Sequence, residues 1–489
     1  MWGEAYEDHV ARIEAVQYLE SKISCFGGVP SASLLQTKDD FYTAARKKGS
    51  PIVPSNDLSR FPLFVKPVHS YASHGIDDSS LCFNEEELKS KIAALDASLA
   101  PHRDRRPYSV KSTRLGELSI PSDILVTEYI RGVDYFVVVC QIGDTVFPLC
   151  PEKWRLPPST HGKLDVFLTP QMKYHAETDV ELLKQDNDPI LYDALQSTAL
   201  QAWKTSNTGA YWSHVDMRVR ANGEIVALQV NPMAGIFTPP GIHPVHDPSV
   251  TKHFPGGHRS LINCALAVQR IKSSRLSREI QNTHDQISAS YDRFSDLYDS
   301  KASSQTRTVP IIEEYISMFG FDGTVLDLGC GTGAFGRILH QHHPDHPKLP
   351  GIELSPQMAA RATSSGAYGT IFEGSIQQHV SSIGRIDHVV SWYALQFLDE
   401  VDLNFALTTC FINATQSITF SIDEIPDKYN EDIKEAGDAH MVQFNHVAAV
   451  ERFGVPHGWR LAHRRRQFAW KSAHTKYDVY STVFRYERV

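Results

Sequence analysis

VLDLGCGTGAFGRIL, residues 325–339, is an apolar run that breaks into three closely spaced glycines and resumes as an amphipathic segment. It reads as a buried strand turning sharply into a helix whose first backbone N–H groups are free to bind a ligand. Taken alone, Gly331-x-Gly333-x-x-Gly336 also fits a dinucleotide fingerprint. Asp327 argues against that reading, because a carboxylate two residues before Gly329 would face a pyrophosphate unfavourably yet can accept from an ammonium group. Downstream, LPGIELS, IDHVVS and SITFSID alternate with helical stretches, the order of a doubly wound α/β sheet. WRLAHRRRQFAWKS and YDVYSTVFRYERV close the chain as a predicted antiparallel strand pair.

Over about residues 285–489 these motifs resemble class I S-adenosylmethionine-dependent methyltransferases. The resemblance implies a Rossmann-like domain with a seven-stranded sheet and an antiparallel last strand, and S-adenosyl-L-methionine as cofactor. It places Asp327, Gly329, Gly331 and Gly333 at the methionine moiety, Glu353 at the ribose hydroxyls, and Ser375 near the adenine, where the family commonly has an acid. Tyr393 and Gln396 fall on the loop facing the methyl group. His440 and His446 are read either as bases for the acceptor or as structural histidines. ISASYDRFSDLYD resembles the lid before the first strand, so Tyr291 and Tyr298 either cover the cofactor or pack as core. The histidine-rich HQHHPDHP at 340–347 falls away from the cofactor edge and is not read as a metal site.

A different signature lies upstream. HVDMRVRANGEIVALQVNPMAG, residues 214–235, reads as two strands around Asn222-Gly223, a two-residue hairpin turn by its chemistry. Counting from that turn pairs Asp216 with Gln229, His214 with Asn231 and Arg218 with Ala227. His214, Asp216, Arg218, Gln229 and Asn231 then share one face, and Val215, Met217, Val219, Leu228 and Val230 the other. A carboxylate beside two amide oxygens suits Mg²⁺, which completes its shell with water and substrate phosphates; a solvated sheet face is the alternative.

FVKPVHSYASHGI, then ILVTEYIRGVDYFVVV, then TPQMKY, then this hairpin resembles in its order the ATP-grasp superfamily, most closely the D-alanine:D-alanine ligase-like and amino-acid ligase branches, over roughly residues 10–245. The resemblance implies an α+β domain that binds ATP, phosphorylates a carboxylate to an acyl phosphate and captures it with an amine. It assigns phosphate contacts to Lys66 and Lys173 and to the small-residue loop containing Ser73. Adenine contacts fall to the segment Thr127 to Ile130 through Glu128 and backbone groups, and the ribose to Asp134. Asp216, Gln229 and Asn231 are implied for Mg²⁺, with Arg218 or His214 stabilising the transferring phosphoryl group. The pattern departs from the family in having Gln229 where a glutamate is usual, histidine at His214, and only about 60 residues ahead of the first strand of this region.

The 489 residues suit more than one core, with 42% hydrophobic and 21% charged residues as in ordinary globular chains. We expect a grasp domain with a truncated N-terminal part over residues 1–255, a helical linker and lid over 256–305, and a methyltransferase domain over 306–489. A net charge of −9 argues against a nucleic-acid partner. Seven cysteines without a CxxC spacing suggest a reducing compartment, and no apolar run reaches membrane-span length, so the cytoplasm is the expected location. Together these readings make a bifunctional enzyme with carboxylate and amine substrates, the methyl going to N or O of a substrate or product. The alternatives are a methyltransferase whose grasp half only binds or regulates, and a non-enzymatic scaffold.

Overall fold

In a computed structural model, the described residues are 6–22, 36–69, 73–105, 111–115, 118–160, 165–173, 177–232, 235–237, 248–272, 274–305, 307–472 and 475–489. The chain divides into two compact units, one of residues 1–141 and 146–253, the other of 142–145 and 254–489. The dividing point lies at Phe254, and the helices Gly257–Lys272 and Ser274–Gln305 group with the C-terminal unit.

The first unit is α+β. A three-stranded antiparallel sheet has the order β2 (Leu81–Cys82), β1 (Leu63–Pro67), β5 (Ile124–Glu128), beside a hairpin of β3 (Ser112–Leu115) and β4 (Leu118–Pro121). A second sheet of β6 (Val133–Ile142), β7 (Thr145–Pro148), β8 (Glu152–Arg155), β9 (Asp179–Leu182), β10 (Trp212–Val219) and β11 (Ile225–Asn231) runs β11-β10-β6-β8-β9, with β7 on β6. The helix Lys38–Lys48 opens on a capping box in which Thr37 and Asp40 satisfy each other's backbone N–H. It buries Phe41, Tyr42 and Ala45. These pack with Val215, Met217, Ala227 and the helix residues Leu195, Ala199 and Ala202 into one core.

The hairpin corrects two expectations. Arg220 N–H donates to the Glu224 carbonyl at 2.9 Å, so the loop is the three residues Ala221-Asn222-Gly223, with Gly223 left-handed at φ 86°. A three-residue loop shifts the register by one, and Arg218 therefore pairs with Val226 instead of Ala227. A bulge on β11, opposite the Asp216/Met217 step, shifts it back, so Asp216 faces Gln229 and His214 faces Asn231 as counted. Leu228 is the extra residue. Its carbonyl accepts from the Tyr42 hydroxyl at 2.7 Å, and Ala227 N–H donates to the Ile52 carbonyl at 2.8 Å. Ala227, not Leu228, joins the core face.

The second unit is α/β. Its sheet runs β14 (Tyr368–Glu373), β13 (Leu349–Glu353), β12 (Val325–Leu328), β15 (Ile386–Ser391), β16 (Ala414–Glu424), β18 (Asp478–Arg488), β17 (Trp459–Lys471), the first five parallel, with β18 antiparallel to both of its neighbours. Strand order reverses between β12 and β15, and at that crevice the glycine loop after β12 opens. The core beneath it joins Ile312, Tyr315, Phe335, Leu339, Tyr368 and Trp392. Among the described residues no helix is long and apolar enough to cross a membrane.

Candidate active sites

In the α/β unit, Gly329, Gly331 and Gly333 all adopt left-handed φ, at 70°, 55° and 84°. That conformation turns the chain from β12 into the helix Ala334–His342. A pocket of about 820 Å³, mouth included, opens above the loop and is walled by Gly329, Gly331, Glu353, Ser375, Tyr291 and Tyr393 among others. Glu353 ends β13 and is 9% exposed. One carboxylate oxygen accepts from Gly331 N–H at 2.8 Å and the other from Ser355 N–H at 2.9 Å. Burial pushes its carboxyl up from the ordinary range while these backbone donors pull it back. An acid anchored in this way keeps lone pairs for a ligand diol.

Asp327 is engaged within the fold. It is 2% exposed, and the Tyr368 hydroxyl donates to it at 2.6 Å. Burial drives its carboxyl up to about 7. Tyr368 reaches it because glycines leave room: a Cβ on Gly336 would lie 2.6 Å from the tyrosine ring, and one on Gly333 2.8 Å. Gly336 N–H donates back to the same hydroxyl at 3.1 Å. Gly333 and Gly336 thus clear the space for Tyr368, which holds Asp327.

Ser375 lines the pocket, but its N–H and hydroxyl both point to the Gln378 amide oxygen, at 2.9 and 3.2 Å. Tyr291 and Tyr298 line the pocket with their rings 6.2 Å apart. Their helix Ser274–Gln305 is tied down by Asp292, which accepts from Ser355 Oγ and Gln357 N–H at the N-terminus of the helix Pro356–Ser364. Asp296 pairs with Arg361, and Asp299 with Arg337 at 3.1 Å. Tyr393 lines the pocket at φ 60°, held by its N–H to Ser421 Oγ at 2.8 Å. His440 Nε2 lies 2.9 Å from Ser290 Oγ. Buried His446 gives Nε2 to the Leu398 carbonyl at 2.7 Å, which makes it a brace between segments rather than a base at the pocket.

The α+β unit assembles a second constellation from side chains alone. Asp216 is surrounded by the positive fields of Lys38, Lys66 and Lys173. Burial, together with the other ammonium groups, pushes Lys38 down to about 7, and burial brings Lys66 to about 8. Lys66 is 7% exposed and donates to the Tyr42 hydroxyl at 3.1 Å, which continues to the bulged Leu228 carbonyl. Lys173 lies 5.9 Å from the Trp154 ring centre. Lys38 and Tyr42 escaped sequence reasoning; the only available signal was the capping box that fixes their helix.

Gln229 donates from Nε2 to Asp216 Oδ2 at 2.5 Å, and Asn231 lines an adjacent hollow with Gln229, Lys38, His69 and Thr208. One carboxylate among three ammonium groups does not suit a bare cation, but it suits Mg²⁺ arriving on phosphates, with Asp216 and a rotated Gln229 as protein ligands. His214 packs on Phe136 at 4.8 Å.

Four of the expected ligand contacts fall on groups that already have partners within the fold. Arg218 is 4% exposed and spent internally: it pairs with Asp134 at 2.8 Å and donates to the Ile130 carbonyl, also at 2.8 Å. Asp134 is therefore engaged by Arg218 instead of open to a ribose. Glu128 is likewise occupied, by Ser55 N–H at 2.8 Å and Arg220 at 2.9 Å, and its own N–H donates to the Ser55 carbonyl at 3.0 Å. Ile130 offers a carbonyl already taken by Arg218. The physical reason is common to all four: each group has a partner from another segment of the fold. Ser73 is left-handed at φ 63°, while residues 70–72 of its loop lie outside the described residues.

Residues 325–412 match the family model for a methyltransferase domain. No curated protein matches the chain. Among solved structures, a magnesium protoporphyrin IX methyltransferase from Synechocystis PCC 6803 with bound S-adenosylmethionine is similar at 17% identity and TM-score 0.28, over 37% of this chain and 79% of that one. A D-Ala:D-Ser ligase from Enterococcus faecalis is similar at 18% identity and TM-score 0.34, over 49% of this chain and 64% of that one. A D-alanine-D-alanine ligase from Coxiella burnetii is similar at 17% identity and TM-score 0.33, over 55% and 68%.

Proposed function

We propose that the chain is a bifunctional enzyme, an S-adenosylmethionine-dependent small-molecule methyltransferase joined to an ATP-grasp ligase that couples a carboxylate to an amine through an acyl phosphate. The methyl half rests on the methyltransferase domain together with Glu353, whose anchored carboxylate suits the ribose diol of the cofactor. Methyl transfer from a sulfonium then needs mainly alignment of the acceptor with the methyl carbon.

The observation that carries the ligase half is the cluster of Lys38, Lys66 and Lys173 about the partly buried Asp216. Lysines that burial holds below their ordinary range regain full charge when a polyphosphate enters, so the site is matched to ATP. Mg²⁺, held by Asp216 with Gln229 and Asn231, would neutralise charge developing on the transferring phosphoryl group. The test is to incubate the chain with ATP, Mg²⁺, S-adenosylmethionine and pooled amino acids and to compare products by mass spectrometry with each cofactor omitted. Amine-dependent ADP release together with a methylated amide supports the proposal. S-adenosylmethionine turnover without ADP release rejects the ligase half.

One observation favours a second reading, in which the grasp half binds nucleotide without turning it over: Gln229 turns its NH₂ toward Asp216 at 2.5 Å. ATP binding without hydrolysis would select that reading.

A further inference from the structure

Beside the methyltransferase pocket lies a carboxylate that the reading above leaves without a role. Successive side chains of a strand alternate faces, so Ser421 and Asp423 of β16 point the same way. Ser421 Oγ holds the pocket residue Tyr393 by its N–H at 2.8 Å. Asp423, one step further, is 1% exposed, and its Oδ2 accepts from Trp470 Nε1 at 2.8 Å. Oδ1 is buried with only the Ser481 hydroxyl beside it, and that hydroxyl also reaches the Ile422 carbonyl at 3.3 Å. On the other side of Tyr393, the Gln396 amide donates to the Tyr393 carbonyl at 2.7 Å. That contact sets the amide's orientation. It leaves Gln396 Oε1 buried without a donor.

Two buried acceptors with lone pairs to spare lie next to one tyrosine of the wall, and such groups are retained at a cost unless they serve something. The negative charge of Asp423 is felt at Tyr291, Tyr298 and Tyr393, all of which line the pocket. No lysine or arginine lines that pocket among the described residues. Aromatic faces with a buried carboxylate nearby and no facing lysine or arginine attract a cation.

We propose that the methyl acceptor is an amine, drawn over the tyrosine wall as a cation, with Asp423 as the positioning residue that supplies the buried counter-charge and Gln396 as a second acceptor. Transfer is then N-methylation. The bound ammonium first gives one proton to solvent; the lone pair so freed forms the N–C bond as the methyl C–S bond breaks, that bond's electron pair returns to sulfur as a thioether, and the product leaves as the methylammonium ion. This rests on the methyltransferase reading.

The test loads the full chain with S-adenosylhomocysteine and titrates benzylamine and benzyl alcohol, probes of one shape and different charge, by calorimetry. We expect benzylamine to bind at least about tenfold tighter. Asp423→Asn should erase that preference while S-adenosylhomocysteine affinity stays within about twofold. Gln396→Met should lower the preference about threefold. Equal binding of the two probes, or binding of neither, overturns the proposal without needing any variant. A preference that survives in Asp423→Asn also overturns it, as does loss of S-adenosylhomocysteine affinity in that variant, which would assign Asp423 to the cofactor. Wild-type protein that fails to bind S-adenosylhomocysteine rejects instead the methyltransferase reading beneath it.

Discussion

The two candidate sites are built from different material. The pocket of the α/β unit is made of backbone: three left-handed glycines, the N–H groups of Gly331 and Ser355, and one anchored acid, Glu353. The site of the α+β unit is made of side-chain charge, with Lys38, Lys66, Lys173 and Asp216 on separate elements. A backbone site tolerates no added atoms and answers to sterics. A charge site tolerates changes of shape and answers to pH and to its ligand's charge.

The sharpest way to break this contrast is Gly336→Ala. Its Cβ would meet the Tyr368 ring at 2.6 Å, within the core that carries Asp327. We expect destabilisation of about 2 kcal/mol, read by denaturant unfolding of the α/β unit, with loss of S-adenosylmethionine binding. Glu353→Ala leaves the backbone intact and should weaken S-adenosylmethionine by about 2 kcal/mol, roughly 30-fold by calorimetry.

The charge site should respond in the opposite sense. Lys66→Met removes an ammonium group that burial disfavours, so the α+β unit should melt slightly higher while nucleotide affinity falls about tenfold. The pH dependence follows from the same shifts. Lys38 at about 7 and Lys66 at about 8 are charged below those values and lose their protons as pH rises through them. ATP favours the charged forms, so binding at pH 8 should take up protons, seen as a heat that varies with the buffer's ionisation enthalpy. Zero uptake would mean that the lysines do not meet the phosphates. The smallest effect is Gln229→Glu, which adds one negative charge beside Asp216 and should tighten Mg²⁺ in the presence of nucleotide by about 1 kcal/mol.

The contrast also explains what could be read before any coordinates. A backbone site is contiguous, so residues 325–333 announce the strand, turn and helix, and period-2 and glycine signals suffice for the sheet around them. The hairpin was legible where it mattered, at Asp216 opposite Gln229, although by two cancelling errors: a three-residue loop in place of two, and a bulge at Leu228. Strand alternation carries no mark of a bulge whose carbonyl is satisfied by Tyr42, a residue 186 positions away. For the same reason Arg218, Asp134 and Glu128 looked available for ligands. Their partners, Ile130, Arg220 and Ser55 among them, come from other segments, and polarity at a position does not say whether it is spent inside the fold. Tyr368 and Asp423 were invisible because each acts on residues of other elements.

The account turns on one chain holding two chemically distinct sites, and a paired titration tests this most directly. Wild type, Glu353→Ala and Lys66→Met are each titrated with S-adenosylmethionine and with ATP–Mg²⁺ in the same calorimeter. The expected outcome is that wild type binds both, Glu353→Ala loses only S-adenosylmethionine affinity, and Lys66→Met loses only ATP affinity. A wild-type chain that fails to bind ATP, or a Lys66→Met variant that binds it as tightly as wild type, would contradict the account.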